Sequence, residues 1–181
     1  MCGTFSEGDK HNVWEAELDP VWKAPIWKQF GAAIDMLENA VDACPDELWS
    51  DRTRRPEYWY VVFHTLFFLD LYLSPSLEGF APPVPFTLDE LDPAGIIPER
   101  PYTKLELGVY LDHGRRKCRA KIEALTDVTA REDCGSLRPR CSVLESLLYN
   151  MRHVQHHAAQ LNLILRQTID SAPSWVSRAK E

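Results

Sequence analysis

The stretch RHVQHHAAQ at residues 152–160 lies in a longer segment, 142–167, whose apolar residues recur at the spacing of an α-helix. Successive residues of an α-helix are rotated by about 100°, so the apolar residues of this segment lie on one side of the helix and form a predicted core-facing stripe. These residues are Val143, Leu147, Val154, Ala158, Leu161 and Leu165. Ser142 and Glu145 open the segment with the pattern of a capping box. Residues 142–167 are therefore predicted to form one long helix with one buried face.

Two histidines of this stretch, His153 and His157, share one face of the predicted helix and lie one turn apart. The helical angles put both at the edge of the core-facing stripe and turn His156 away from it. Two imidazoles at this spacing can reach one metal ion but do not complete its coordination. The candidate for a third ligand is His64, because it is the only histidine in the apolar run WYVVFHTLFFL at residues 59–69.

Three further helices are predicted, over about residues 20–43, 56–74 and 103–125. The second is apolar on every side and is expected to be the most buried. Its aromatic and β-branched residues also suit a strand, but its length favours a helix. Residues 74–101 contain seven prolines and are predicted to form a long connection without long helices. The chain, 1–181, is thus predicted to be a single all-α domain, a four-helix bundle with a long Pro-rich crossover between helices 2 and 3.

The overall composition excludes several classes of function. The net charge of −7 argues against nonspecific binding to nucleic acid, because such binding depends on clustered Lys and Arg that neutralise phosphates. The longest apolar run is interrupted by His64 and Asp70, so no membrane span is predicted. The first residues lack the basic start and apolar region of a signal peptide, which predicts a cytoplasmic protein. The five cysteines form no CxxC pair and are interpreted as reduced thiols, with Cys134 and Cys141 flanking one loop.

Three neutral imidazoles would leave coordination positions of a metal ion open, as in catalytic rather than sealed structural sites. Imidazole ligands suit several divalent metals, of which zinc or nickel is preferred here and iron is an alternative. The same residues allow a purely structural interpretation. In that interpretation His64 is a core histidine that bonds a backbone carbonyl or a tyrosine hydroxyl.

The apolar helix around His64, together with the stretch at 153–161, resembles the DinB/YfiT-like superfamily. The late motif of that family reads roughly H-x-x-x-H-x-x-Q, which His153, His157 and Gln160 match, and its early histidine matches His64. The family often has Arg-Gly before the glutamine, where this chain has Ala158 and Ala159. The resemblance covers helices 2 and 4 and does not cover the Pro-rich segment. It implies a four-helix bundle with a metal site formed by the three histidines.

The resemblance also implies a choice of activities, on a small-molecule substrate. One is a metal-dependent hydrolase, and the other is a thiol-dependent S-transferase that uses a low-molecular-weight thiol. A transferase needs a basic residue to hold the carboxylate of the thiol, for which Arg152 and Arg55 are the candidates. The third hypothesis is a non-enzymatic bundle that acts through a partner or as a homodimer.

A few other residues carry weaker signals. Asp70 is the only carboxylate inside the second helix, and it is expected to pair with an arginine, with a histidine or with solvent. His113 lies in a polar stretch and is predicted to be solvated. The thiols of Cys118 and Cys141 are further candidates for a place near the site. Trp175 in the tail is expected to pack back onto the bundle.

Overall fold

The computed structural model describes residues 21–135 and 140–179, which form α-helices and no β-strand. Four helices are long: α1 (Lys23–Ala43), α3 (Tyr58–Leu73), α4 (Lys104–Ala124) and α5 (Val143–Ile169). A short helix, α2 (Asp46–Trp49), follows α1, and single 3-10 turns span Asp89–Leu91 and Thr129–Arg131. The prediction of an all-α chain is confirmed over these ranges. The predicted start of the first helix at Pro20 lies outside the described residues.

The last helix, α5, follows the predicted pattern. Its N-cap is Ser142, whose hydroxyl accepts a hydrogen bond from the backbone N–H of Glu145 at 3.1 Å. The residues buried along α5 include most of the predicted stripe, at Leu147, Val154, Ala158, Leu161 and Leu165. Asp170 ends the helix in the left-handed conformation, with φ at 55°. The spacing of apolar residues therefore determined both the extent of α5 and the face that it buries.

The most buried of the four long helices is α3, as predicted. All but four of its residues are buried, and the exceptions are Tyr60, His64, Phe68 and Tyr72. These four share one face, at i, i+4, i+8 and i+12. The helix begins at Tyr58 instead of Pro56, because Glu57 has an extended backbone. Its buried carboxylate accepts a hydrogen bond from the Trp59 indole and forms an ion pair with the Arg52 guanidinium.

The four long helices enclose a common apolar core. Helix α1 packs against α4 and α5, and α3 packs against the same two helices. The packing of α3 on α5 directs the partly exposed face of α3 towards the edge of the α5 stripe. This contact decides the position of the histidines.

Polar groups also link the helices inside the core. Asp70 on α3 is 1% exposed and forms an ion pair with Lys117 of α4. The Tyr110 hydroxyl donates to the same carboxylate at 3.2 Å, and His113 Nε2 lies 3.4 Å from it. The prediction of a solvated His113 holds in part, because its side chain is 39% exposed, while α4 also turns the ring towards Asp70. A second ion pair, Arg115 with Asp35, joins α4 to α1.

The proline-rich connection, 74–101, contains one turn of 3-10 helix and no longer helix, as predicted. It is fastened to the core by Phe86, which is buried and stacks on Tyr110 with ring centroids 4.4 Å apart. Burying one phenylalanine side chain contributes about 2–3 kcal/mol. The connection is therefore held at a defined position beside α3.

The tail after α5 returns along α1, where Gln29 donates to the Ser177 carbonyl and the Ala179 N–H donates to the Lys28 carbonyl. Trp175 was expected to pack onto the bundle, and this was wrong, since the residue is 68% exposed. Val176 makes the apolar contact instead. Within the described ranges, no helix combines the length and the apolar character that crossing a membrane requires.

Candidate metal centre

The three predicted ligands come together where α3 packs against α5. His153 and His157 project from successive turns of α5, and their ring centroids are 4.5 Å apart. The ring of His64 on α3 lies 5.4 Å from that of His153 and 4.9 Å from that of His157. One nitrogen from each ring can be chosen so that all three lie within 4.8 Å of one another. A single ion can therefore be reached by all three side chains.

The two α5 histidines are held in the neutral form. Burial lowers the pKa of His153 to about 3, with a further contribution from the neighbouring histidines. Burial likewise lowers the pKa of His157 to about 4, against the opposing effect of its hydrogen bond to Gln160. Only a neutral imidazole has a lone pair free for a metal ion. The site thus presents two unprotonated donors at neutral pH.

Hydrogen bonds determine which ring nitrogen of His157 and of His64 is available to a metal ion. His157 Nδ1 is 2.7 Å from the Gln160 side-chain oxygen, and His64 Nδ1 is 2.7 Å from a carboxylate oxygen of Glu90. Both oxygens are acceptors, so each Nδ1 carries the proton and donates it. Nε2 is therefore the nitrogen of each of these two rings that is available to a metal ion.

The surroundings of His153 also suit a metal ligand. Its Nδ1 is buried and has no hydrogen-bond partner among the described protein atoms. An unpartnered buried polar atom costs free energy unless a partner satisfies it. On one side the ring meets aromatic side chains, with Phe68 and Tyr72 at 5.8 and 5.9 Å between centroids. Three imidazole ligands suit zinc, nickel or iron.

His156 stays apart from this cluster of three. It is exposed, and its ring centroid lies 5.1 Å from that of His157. This position agrees with the helical angle that turned it away from the core-facing stripe.

The sequence analysis missed Glu90. Its side chain is 3% exposed and comes from the 3-10 turn of the proline-rich connection. The only feature of the sequence that pointed to Glu90 was its acidic side chain, in a long proline-rich segment that was expected to cover part of the protein. No periodicity in that segment marked Glu90 rather than Asp89, Asp92 or Glu99. Only the path of the connection over α3 brings it to His64.

The two basic candidates have different surroundings. Arg152 is exposed and, with His153, His156 and Trp175, lines an open cavity of about 630 Å³ between α5, α1 and the tail. Arg55 instead donates to the backbone carbonyls of Arg52 and Arg54 and pairs with Glu57. Of the two candidates, Arg152 is thus the one that shares a cavity with His153 and His156.

The cysteine thiols offer little to this site. Cys118 is fully buried on α4, and burial raises the pKa of its thiol well above the usual range. Cys141 is buried just before α5. Cys118 is therefore not a ready nucleophile, because the reactive form of cysteine is the thiolate.

Comparisons of the chain with models of protein families, with curated proteins and with solved structures gave no match.

Proposed function

We propose that this protein is a four-helix bundle of the DinB/YfiT-like type that binds one divalent metal ion through His64, His153 and His157, and that it is a metal-dependent hydrolase. The observation that carries the proposal is the convergence of three imidazoles from two helices, with one nitrogen of each within 4.8 Å of the others. Zinc and nickel are the preferred metals, and iron is an alternative.

The residues of the chain have defined parts in this proposal. Gln160 accepts the Nδ1 proton of His157 and so directs Nε2 of that ring to the ion. Phe68 and Tyr72 pack around His153 and limit the access of water from that side. Three protein ligands leave further positions for water or substrate. A bound metal ion lowers the pKa of a coordinated water, which becomes a usable nucleophile near neutral pH.

The first experiment is a metal titration. Protein purified without a nickel-affinity step and stripped with a chelator is titrated with Zn²⁺, Ni²⁺ and Fe²⁺ under anaerobic conditions. One ion bound per chain is expected. Failure to bind any of these ions would favour the hypothesis of a non-enzymatic bundle with structural histidines.

A second candidate is the thiol-dependent S-transferase, which the position of Arg152 favours. A guanidinium at the edge of the cavity that His153 also lines can hold the carboxylate of a low-molecular-weight thiol. A coordinated thiol is deprotonated and becomes a stronger nucleophile. The thiolate sulfur would then form a bond to an electrophilic carbon of the small molecule and displace a leaving group, which departs with the electron pair of the broken bond.

Cobalt substitution separates the two candidates. A thiolate bound to Co²⁺ gives a charge-transfer absorption, whereas bound water does not. The Co²⁺ protein is titrated with cysteine and with 2-mercaptoethanol, which lacks the carboxylate. The transferase predicts tighter binding of cysteine and loss of that preference in Arg152→Ala. The matched control is Arg166→Ala, which removes an exposed arginine from the last turn of the same helix.

A further inference from the structure

We propose that Glu90 is a positioning residue of the three-histidine centre, and that its bond to His64 makes the docking of the proline-rich connection depend on the bound metal. The inference rests on the proposed metal site and adds a regulatory element to it. It concerns a residue from outside the helices that supply the ligands.

The contact between Glu90 and His64 is short and partly buried. A Glu90 carboxylate oxygen lies 2.7 Å from His64 Nδ1, and the side chain is 3% exposed although the connection runs along the surface. Burial raises the pKa of the nearby Tyr60 hydroxyl, and the Glu90 carboxylate raises it further. The other oxygen, Oε1, is buried without a hydrogen-bond partner among the described protein atoms.

A carboxylate on Nδ1 has a direct consequence for the opposite nitrogen of the ring. It holds the proton on Nδ1, orients the ring and makes Nε2 a better donor to a metal ion. The negative charge of Glu90 also offsets part of the positive charge that a divalent ion brings into a partly buried site. A buried carboxylate is costly to desolvate, and a cation nearby reduces this cost. Glu90 and the ion therefore stabilise each other through His64.

Two different anchors hold this part of the connection. Phe86 is an apolar anchor, buried against Tyr110 and Phe63 at 4.4 and 5.9 Å between ring centroids. Glu90 is a polar anchor four residues later, and it is the one that touches a metal ligand. Coupling between two binding events is reciprocal. If Glu90 strengthens metal binding, the metal strengthens the docking of Glu90 and of the 3-10 turn that carries it.

The test measures Zn²⁺ affinity of the full chain by competition with a chelating dye. Loss of an outer hydrogen-bonding partner of a histidine ligand typically weakens metal binding about 10–100-fold. We expect Glu90→Ala near the upper end of this range and Glu90→Gln, which keeps the shape and an acceptor oxygen, near the lower end. The control Glu99→Gln removes the same charge from an exposed position of the same connection and should change affinity by less than about twofold.

Hydrogen exchange supplies a readout that affinity alone does not. In the wild-type protein, Zn²⁺ should slow exchange in peptides covering residues 80–91, and in Glu90→Gln the slowing should be clearly smaller. Circular dichroism checks that each variant is folded, and if Glu90→Ala is not, Glu90→Gln decides the result.

The outcomes are distinct. Wild-type affinity in a folded Glu90→Gln, with no difference in exchange between the two proteins, would overturn the inference and leave the metal site intact. A wild-type protein that binds no metal would overturn the proposed function itself, and this inference with it.

Discussion

His153 and His157 lie on successive turns of α5 with their ring centroids 4.5 Å apart, whereas their partner His64 belongs to a different helix. The distance between His153 and His157 is set by the geometry of one helix. The position of His64 beside them is set by the packing of two helices. The histidine pair on α5 is therefore preorganised within one rigid element. The complete site requires that α3 be docked in its observed position.

The first prediction concerns the three ligands. His153→Ala or His157→Ala should abolish detectable binding of one Zn²⁺ per chain, because each change removes one of the three proposed ligands. His156→Ala should retain most of the affinity, since this exposed ring lies outside the cluster. Isothermal titration of the stripped proteins measures the difference. Loss of binding in His156→Ala with retention in His153→Ala would contradict the placement of the ligands.

The second prediction concerns pH. The pKa values of His153 and His157, about 3 and about 4, lie below the ordinary value near 6.5 of an unfolded chain. The unfolded state therefore takes up more protons than the folded state as the pH falls below about 6.5, and the metal-free protein should lose stability progressively towards pH 4.

Urea unfolding at pH 7.5, 6 and 5 measures this effect, with the double variant His153→Gln, His157→Gln as the reference. Carboxylates titrate in both proteins, so the difference between their pH profiles isolates the two histidines. Stability of the wild-type protein should fall more steeply between pH 6.5 and 5. Parallel profiles would show that the two rings are not held neutral by burial.

The third prediction compares two glycines of α4. A Cβ at Gly114 would lie 2.8 Å from Leu69 Cδ2, and Leu69 is fully buried, whereas a Cβ at Gly108 would meet nothing within 4 Å. Gly108→Ala should raise the free energy of unfolding by up to about 1 kcal/mol through helix propensity. Gly114→Ala should lower it by about 1 kcal/mol, because overpacking outweighs the same gain. Thermal unfolding followed by circular dichroism tests the opposite signs, and stabilisation by both changes would refute the close packing.

The fourth prediction concerns the ion pair between α3 and α4. Asp70→Asn should lower the free energy of unfolding by about 3 kcal/mol, because it leaves Lys117 partly buried without its countercharge. The control is Glu123→Gln, which breaks the exposed pair with Arg119 and should cost less than about 0.5 kcal/mol. Equal effects of the two changes in urea unfolding would mean that the Asp70 pair contributes no more than a surface pair.

The helices themselves were largely predictable from the sequence. The spacing of Leu147, Val154 and Leu161 determined which side of α5 is buried, and the uniform apolar character of α3 predicted that it would be the most buried helix. The edge position of His153 and His157 and the exclusion of His156 followed from the same periodicity. These features depend on residues within a few turns of one another, so the local pattern carries enough information to place them.

The contacts between distant segments were decided only by the tertiary structure. The bond of Glu90 to His64 and the turning of His113 towards Asp70 join parts of the chain that no local periodicity relates. The same holds for the exposure of Trp175, because Val176 fills the contact with the core instead. The amino-acid sequence by itself therefore determined the helices and the candidate ligands on each. The packing of α3 against α5 and the path of the connection decided which polar groups meet, since that depends on the summed burial of the whole core rather than on any one segment.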